Sequence, residues 1–270
     1  MTIKEALKEG SSRLQNWKEA RILLAHALDK DILSLILIEH ETIKDPDAYF
    51  TLIERAKADE PIEYITQKVS FYSEEFFIKK GALIPRPETE ILIDKVLKIA
   101  TKLKNPRIVE IGVGSGIISV LLAKFLHDAS FTATDISSEA LEIAKKNAQD
   151  FKVDHKINFI HTPYIPDVYT SFDIIISNPP YIAQDAPLEN NLSYEPDIAL
   201  FGGEEGDEIL KNIIDLTTFQ DHCILCCEIG YDQKESLNTY MRERGFSDIA
   251  FYQDLSGLDR GFTATFRREL

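Results

Sequence analysis

Apolar positions follow different rhythms along the chain, and the changes of rhythm mark its organisation. In the first 60 residues they recur at helical spacing. Ala20, Ile22, Leu23, Leu24, Ala27 and Leu28 form one stripe, and Leu33, Leu35, Ile36 and Leu37 a shorter one. Tyr49, Leu52, Ile53 and Ala56 form a third, beyond the break at Asp45-Pro46. This predicts a small helical domain over residues 1–60, too small to be an enzyme alone. Residues 61–85 change texture: Tyr64, Ile65, Val69, Phe71, Tyr72, Phe76, Phe77 and Ile78 are strand formers around a polar Ser73-Glu74-Glu75, which predicts a linking β-hairpin closed by Gly81, Pro85 and Pro87.

From residue 86 to residue 270 helical and extended patterns alternate. Helices are predicted over 88–103, 115–127, 138–150, 206–219 and 232–244, and strands over 107–111, 131–135, 157–161, 172–177 and 223–228. Such alternation predicts an α/β domain with a mostly parallel, Rossmann-like sheet. A terminal pair, 247–253 and 261–267, reads as an antiparallel hairpin on one edge, and 178–203 as a long loop.

Strand ends are where such sheets bind ligands. "VEIGVGSGIIS" places Gly112, Gly114 and Gly116 between a strand and a helix, where backbone can approach a ligand closely. The G-x-G-x-G spacing departs from the dinucleotide pattern and is similar to the loop of S-adenosylmethionine-dependent methyltransferases, with Glu110 opening the motif. Asp135 ends the next strand, placed either to accept both ribose hydroxyls or to cap the helix from 138, a role open to Ser137 as well. Tyr164 offers an aromatic face for adenine after the third strand. The fourth strand ends in Asn178-Pro179-Pro180-Tyr181, a stiff turn without two of its backbone donors. The Asn178 side-chain oxygen and the Pro179 carbonyl can accept the N–H groups of a planar nitrogen, and Tyr181 can stack on it. Adenine N6, guanine N2 and a glutamine amide all fit that description.

Charge narrows the field. The net charge is −15, about −3 over residues 1–85 and −12 over 86–270, which argues against bulk nucleic-acid binding and favours a protein substrate with a basic patch. No apolar run is long enough to span a bilayer, and the N-terminus lacks the pattern of a secretory signal. Cys223, Cys226 and Cys227 share one predicted strand, as buried thiols of a reducing cytoplasm would; Cys223 and Cys226 have a C-x2-C spacing beside His222 but no second pair to complete a zinc site, and the six histidines form no recognisable spacing.

"IPRPETE", "IIISNPPYI", "YEPDIALFGGEEGDE", "CEIGYDQ" and "DLSGLDRGF" together resemble, in order, the release-factor glutamine N5-methyltransferases (the HemK/PrmC family), from about residue 61 to the C-terminus. The resemblance implies a class I methyltransferase fold with a factor-recognition domain at the N-terminus. Its implied reaction moves a methyl from S-adenosylmethionine, leaving S-adenosylhomocysteine, to the glutamine of the Gly-Gly-Gln loop of peptide chain release factors 1 and 2. It implies cofactor contacts from Glu110, Gly112, Val113, Gly114, Ser115, Gly116, Asp135, Tyr164 and Asn178. Asn178, Pro179, Pro180 and Tyr181 would hold the glutamine, with Asn178, Pro179 and Tyr181 catalytic, and Arg86 and Glu88 would shape the pocket. The expectation is a cytoplasmic enzyme, monomeric by default, without metal or membrane attachment.

Gln67 stands where the family commonly has glycine, and Thr162-Pro163 where an acidic residue usually precedes the aromatic. Glu228 reads either as a ligand-facing acid or as a cap for the helix near Asp232, Glu204-Glu205-Gly206-Asp207 as a solvated loop that the family match places near the active-site rim, and Asp259-Arg260 as a local pair. Rival readings are glutamine methylation of a ribosomal protein, amino-methylation of nucleic acid, which should bring a basic recognition region, and a catalytically silent adaptor, which should show a broken glycine loop or a lost Asn178.

Overall fold

A computed structural model describes residues 1–166, 170–187 and 190–268. The chain divides into two compact units, Met1–Lys68 with Glu189–Tyr194, and Val69–Leu188 with Glu195–Leu270.

The first unit is helical: α1 (Ile3–Leu14), α2 (Trp17–Ala27), α3 (Ser34–Leu37), α4 (Pro46–Lys57) and α5 (Ile62–Thr66). Each longer helix starts on a side-chain cap: Thr2 in a reciprocal pair with Glu5, Asn16 accepting from the amides of Lys18 and Glu19, and Asp45 accepting from that of Ala48. Ile3, Leu23, Leu24, Ile43, Tyr49 and Ile53 fill the core, where the Tyr49 hydroxyl donates to the Ala20 carbonyl at 3.1 Å. The stripe read over 33–37 is not a buried face. α3 is a single turn that buries Leu35 alone and leaves Leu33, Ile36 and Leu37 63–87 % exposed.

Tyr64 and Ile65 lie in α5 rather than in a strand, because the Pro61 carbonyl accepts from both their amides and starts a helical turn. The hairpin is shorter than its sequence texture: β1 (Lys68–Phe71) and β2 (Glu74–Phe77) meet at Tyr72-Ser73. Both turn residues have positive φ, the mirror-image two-residue turn that matches strand twist. Glu74 and Glu75 belong to the strand, not to the turn. Gln67 ends α5 in the left-handed region at φ 57°, so the departure from glycine falls where a Cβ is costly.

The second unit carries α6 (Thr89–Ala100), β3 (Arg107–Ile111), α7 (Ile117–Phe125), β4 (Ser130–Asp135), α8 (Ser138–Asp150), β5 (Ile157–His161), β6 (Ile174–Ser177), β7 (Ile182–Ala183), α9 (Asp197–Leu200), β8 (Phe201–Gly203), α10 (Glu208–Thr217), β9 (His222–Glu228), α11 (Lys234–Glu243), β10 (Ser247–Gln253) and β11 (Asp259–Arg267). Seven strands form one sheet in the order β10-β11-β9-β6-β3-β4-β5. Its five strands β9, β6, β3, β4 and β5 are parallel, and β11 and β10 add antiparallel at the edge. β3 pairs with β4 on one side and β6 on the other, so the order reverses there and a crevice opens at the carboxyl ends. The segment read as a loop over 178–203 holds β7 and β8, which pair in parallel as a separate small sheet; residues 188–189 within it lie outside the described residues. Cys223, Cys226 and Cys227 are buried free thiols of β9.

Gly116 starts α7 at φ 84°, and a Cβ there would stand 2.9 Å from the Ala144 backbone of α8. Gly116→Ala therefore lowers unfolding stability by about 2 kcal/mol or more, from positive-φ strain plus overpacking. Gln67→Gly raises it by up to about 1 kcal/mol, since only glycine adopts that conformation without strain. Urea melts check both; an unchanged midpoint for Gly116→Ala, or a lowered one for Gln67→Gly, contradicts the reading.

Candidate active site

The ends of β3, β4, β5 and β6 face one cavity in the second unit. Gly112 and Val113 donate their amides to the Thr134 carbonyl, each at 2.9 Å, which ties the glycine loop to β4. Asp135 completes the clamp. Its Oδ2 accepts from the Gly114 amide at 2.9 Å and its Oδ1 from the Ser137 amide at 2.8 Å. The cap of α8 is Ser137, whose Oγ accepts from the Ala140 amide, so the capping role read for Asp135 belongs to its neighbour. A carboxylate has about four acceptor sites, and these amides with that of Ile136 do not fill them, so Asp135 can still accept from donors in the cavity. Burial raises this carboxyl above its usual range, opposed by the two amides.

Glu110 is buried on β3 and accepts from both the amide and the hydroxyl of Ser119. Burial pushes it up to about 8. Asn147, fully buried on α8, spends its whole amide on position: Nδ2 donates to the Phe77 and Ser115 carbonyls, and Oδ1 accepts from the Phe77 amide. One side chain thus fastens β2 and the glycine loop to α8.

Pro179 and Pro180 have no N–H, and the turn after β6 is held from outside. Gly202 and Gly206 let backbone meet backbone: added Cβ atoms would stand 2.5 Å from the Pro180 carbonyl and 2.8 Å from that of Tyr181. Gln233 donates to the Tyr181 carbonyl at 3.0 Å while accepting from the Gly230 amide. Tyr181 donates its hydroxyl to Glu228 at 3.1 Å, and Asn178 donates Nδ2 to the Thr89 hydroxyl at 3.1 Å. Thr89 in turn donates to Glu228 at 2.7 Å. Glu228 therefore does not cap α11; Gln233 stands at that cap.

The cavity is lined by Glu110, Gly112, Val113, Gly114, Ser115, Asp135, Tyr164, Asn178, Pro179 and Pro180, so most residues predicted for the site do meet. Tyr164 also accepts a hydrogen bond from Asn212 on its hydroxyl at 3.0 Å. Gly116, expected among the cofactor contacts, is not among the lining residues and packs against Ala144 of α8. Tyr181, Arg86 and Glu88 are not among the lining residues. Arg86 makes an ion pair with the buried Glu195, which also accepts from the Ile84 amide at 2.9 Å. That pair joins the "IPRPETE" and "YEP" segments.

Thr89, Pro85, Pro163 and Ile198 line the cavity as well; the sequence marks Pro85 only as closing the hairpin and Pro163 only as a departure from the family, and gives no sign of Thr89 or Ile198. The acidic stretch at 204–207 is not wholly solvated: Asp207 is buried, with Lys211 at 2.8 Å and the Ser236 hydroxyl at 3.0 Å. Asp259 and Arg260 do not pair with each other; Arg260 meets Asp254 at 2.8 Å and Asp259 meets Lys234 at 3.3 Å. Among the described residues no group of three His, Cys, Asp or Glu could hold a metal ion, and no helix is long and apolar enough to cross a membrane.

The methyltransferase small domain family matches residues 87–192 and the PrmC N-terminal domain family residues 5–66. A release factor glutamine methyltransferase of Clostridium acetobutylicum is 32% identical, with 96% of this chain and 97% of that protein covered. A bifunctional methyltransferase of Rickettsia conorii is 34% identical over 96% of this chain but 57% of its own length, so the chain spans little more than half of that relative. In structure, the catalytic domain of human METTL16, solved with a MAT2A 3′UTR hairpin, aligns with TM-score 0.57 at 19% identity, over 83% of this chain and 82% of that one, a likeness of fold. Full-length similarity above 30%, with matches to both the N-terminal and the methyltransferase families, places the chain in the family of release factor glutamine methyltransferases.

Proposed function

We propose that the chain transfers a methyl group from S-adenosylmethionine to the side-chain amide nitrogen of the Gly-Gly-Gln glutamine in class 1 peptide release factors. The observation that carries this reading is the Asn178 amide, whose Nδ2 is spent on Thr89 and whose Oδ1 is left to accept, at the rim of a cavity clamped by Asp135.

The cavity fits the cofactor. Nothing lies within 4 Å of where a Cβ on Gly112 or Gly114 would stand, so backbone faces the space there. The free lone pairs of Asp135 suit a ribose diol, and Tyr164 beside Pro163 offers an adenine-sized face. Glu110, Val113 and Ser115 complete the cofactor side, with Gly116 packing the loop against α8. Bound there, S-adenosylmethionine supplies an electrophilic methyl on a sulfonium centre.

The protein's task is to present a poor nucleophile. A neutral amide has two N–H groups, and Asn178 Oδ1 and the Pro179 carbonyl accept them, turning the nitrogen towards the methyl. On transfer the amide nitrogen held by Asn178 and Pro179 would take the methyl and release one proton to water, the carbon–sulfur electron pair staying with sulfur. Pro180 keeps the turn rigid, and Tyr181 backs it. Arg86, paired with Glu195, and Glu88 act from outside the cavity, on the "IPRPETE" segment whose Pro85 and Thr89 line it.

Residues 86–270 form the catalytic part in this reading, 61–85 the linker, and 1–60 the factor-recognition domain, for which the exposed Leu33, Ile36 and Leu37 provide an apolar contact surface. The net charge of −15 suits a protein substrate rather than nucleic acid, and buried thiols suit a cytoplasmic location.

The test is incubation with labelled S-adenosylmethionine and unmethylated release factor, followed by peptide mass spectrometry. Label on the Gly-Gly-Gln glutamine is expected; label elsewhere, or none, overturns the substrate. Asn178→Ala lowers turnover at least about a hundredfold while cofactor affinity stays within a few-fold, and retained turnover removes Asn178 from the reaction. Asp135→Ala weakens cofactor binding by about 1–3 kcal/mol in calorimetry, the loss of charge-assisted hydrogen bonds. An unchanged dissociation constant limits Asp135 to the loop clamp.

A further inference from the structure

Glu228 and Thr89 make no contact with substrate in the reaction described above, yet both are buried to within 2% and joined to the two polar side chains of the strand-end turn. The connections have a direction. An ionised carboxylate can only accept. Thr89 must therefore give its single hydroxyl proton to Glu228, at 2.7 Å, which leaves the Thr89 oxygen able only to accept from its other neighbour. That neighbour is Asn178, 3.1 Å away, and an amide facing an acceptor must turn Nδ2 towards it. The other Glu228 oxygen takes the Tyr181 hydroxyl at 3.1 Å, fixing the far end of the same turn.

We propose that Glu228, acting through Thr89, is the positioning residue that sets the polarity of the Asn178 amide, so that Oδ1 rather than Nδ2 meets the substrate nitrogen. The inference rests on the methyl-transfer reading above and deepens it. Without the carboxylate the Thr89 hydroxyl is free to rotate and donate, Asn178 can turn over, and an N–H would then meet the N–H of the substrate amide, which is repulsive. Neither Glu228 nor Thr89 takes part in bond making; they decide which way an otherwise symmetric-shaped amide faces.

The surroundings of Glu228 make the device sensitive to pH. Burial raises its carboxyl to about 7, opposed by the Thr89 and Tyr181 hydroxyls and by Arg260 of β11, while Glu88 at the start of α6 adds to the rise and the Tyr252 hydroxyl of β10 lies in its field. Raised in this way, the group is ionised above about pH 7 and protonated below it. Protonation gives Glu228 a donor of its own and breaks the direction of the chain, so turnover falls on the acid side.

The test compares the full chain with Thr89→Val, Thr89→Ser and Glu228→Gln. Thr89→Val keeps the shape and removes the hydroxyl, so single-turnover methyl transfer to release factor should fall about tenfold or more, with cofactor affinity within about twofold. Thr89→Ser should recover most of the rate, and Glu228→Gln should lower it and abolish the acid limb near pH 7. Equal rates for Thr89→Val and the unaltered chain, or for Thr89→Val and Thr89→Ser, overturn the proposal. A second readout needs no substrate: the Asn178 side-chain amide protons, assigned in 1H–15N spectra by their loss in Asn178→Asp, should exchange slowly in the unaltered chain and Thr89→Ser, and fast in Thr89→Val and Glu228→Gln. Similar exchange in all four overturns the relay even if the factor is methylated. Protected exchange without any methyl on the factor would instead overturn the substrate reading and leave the relay standing.

Discussion

Two consecutive prolines impose the constraint on which the rest of the site depends. Pro179 and Pro180 stiffen the turn after β6 but remove two backbone donors, so a segment that must be rigid cannot be held by its own hydrogen bonds. Support comes instead from four distant stretches. Thr89 at the start of α6 takes Asn178, Glu228 at the end of β9 takes Tyr181, Gln233 takes the Tyr181 carbonyl, and Gly202 and Gly206 bring β8 and its following loop against the turn. The short parallel pairing of β7 with β8 follows from that close approach.

The cofactor side is built on a similar economy. Asp135 and Asn147 each make several hydrogen bonds to backbone and few to anything else. They hold the glycine loop in its open shape before any ligand arrives, so binding need not order it. The buried carboxyls of Glu110 and Glu228 carry the cost of this arrangement, visible as acid groups raised towards neutrality. Each is met by hydroxyl donors, which makes burial tolerable without a full counter-charge.

Much of this was legible in the sequence because it repeats at a fixed period or sits at a strand end. β3, α8 and β5 fall on the predicted residues, and the glycine loop, Asp135, Tyr164 and Asn178 reach one cavity as the α/β rule for strand ends requires. What was not legible is long-range and polar. Thr89 lies between the noted Glu88 and the body of α6, and nothing in its neighbourhood tells that its partner is 139 residues away. Glu195, Asn147 and Gln233 are likewise ordinary polar residues until the fold brings carbonyls and amides to them. The hairpin departs from its sequence texture at its start and at its turn for local reasons: Pro61 starts a helical turn, and Tyr72-Ser73 adopts positive φ without a glycine. At α3 the stripe failed because one helical turn has room to bury only one side chain in four.

The central claim is that Asn178 and Pro179 act as acceptors for the N–H groups of a planar amide. It is tested most directly by single-turnover transfer, at saturating cofactor, to a release factor carrying glutamine in its Gly-Gly-Gln loop and to the same factor carrying glutamate there. The predicted result is one methyl on the glutamine factor and none on the glutamate factor, whose carboxylate has no N–H to offer. Comparable methylation of both, as amide and ester, would contradict the claim.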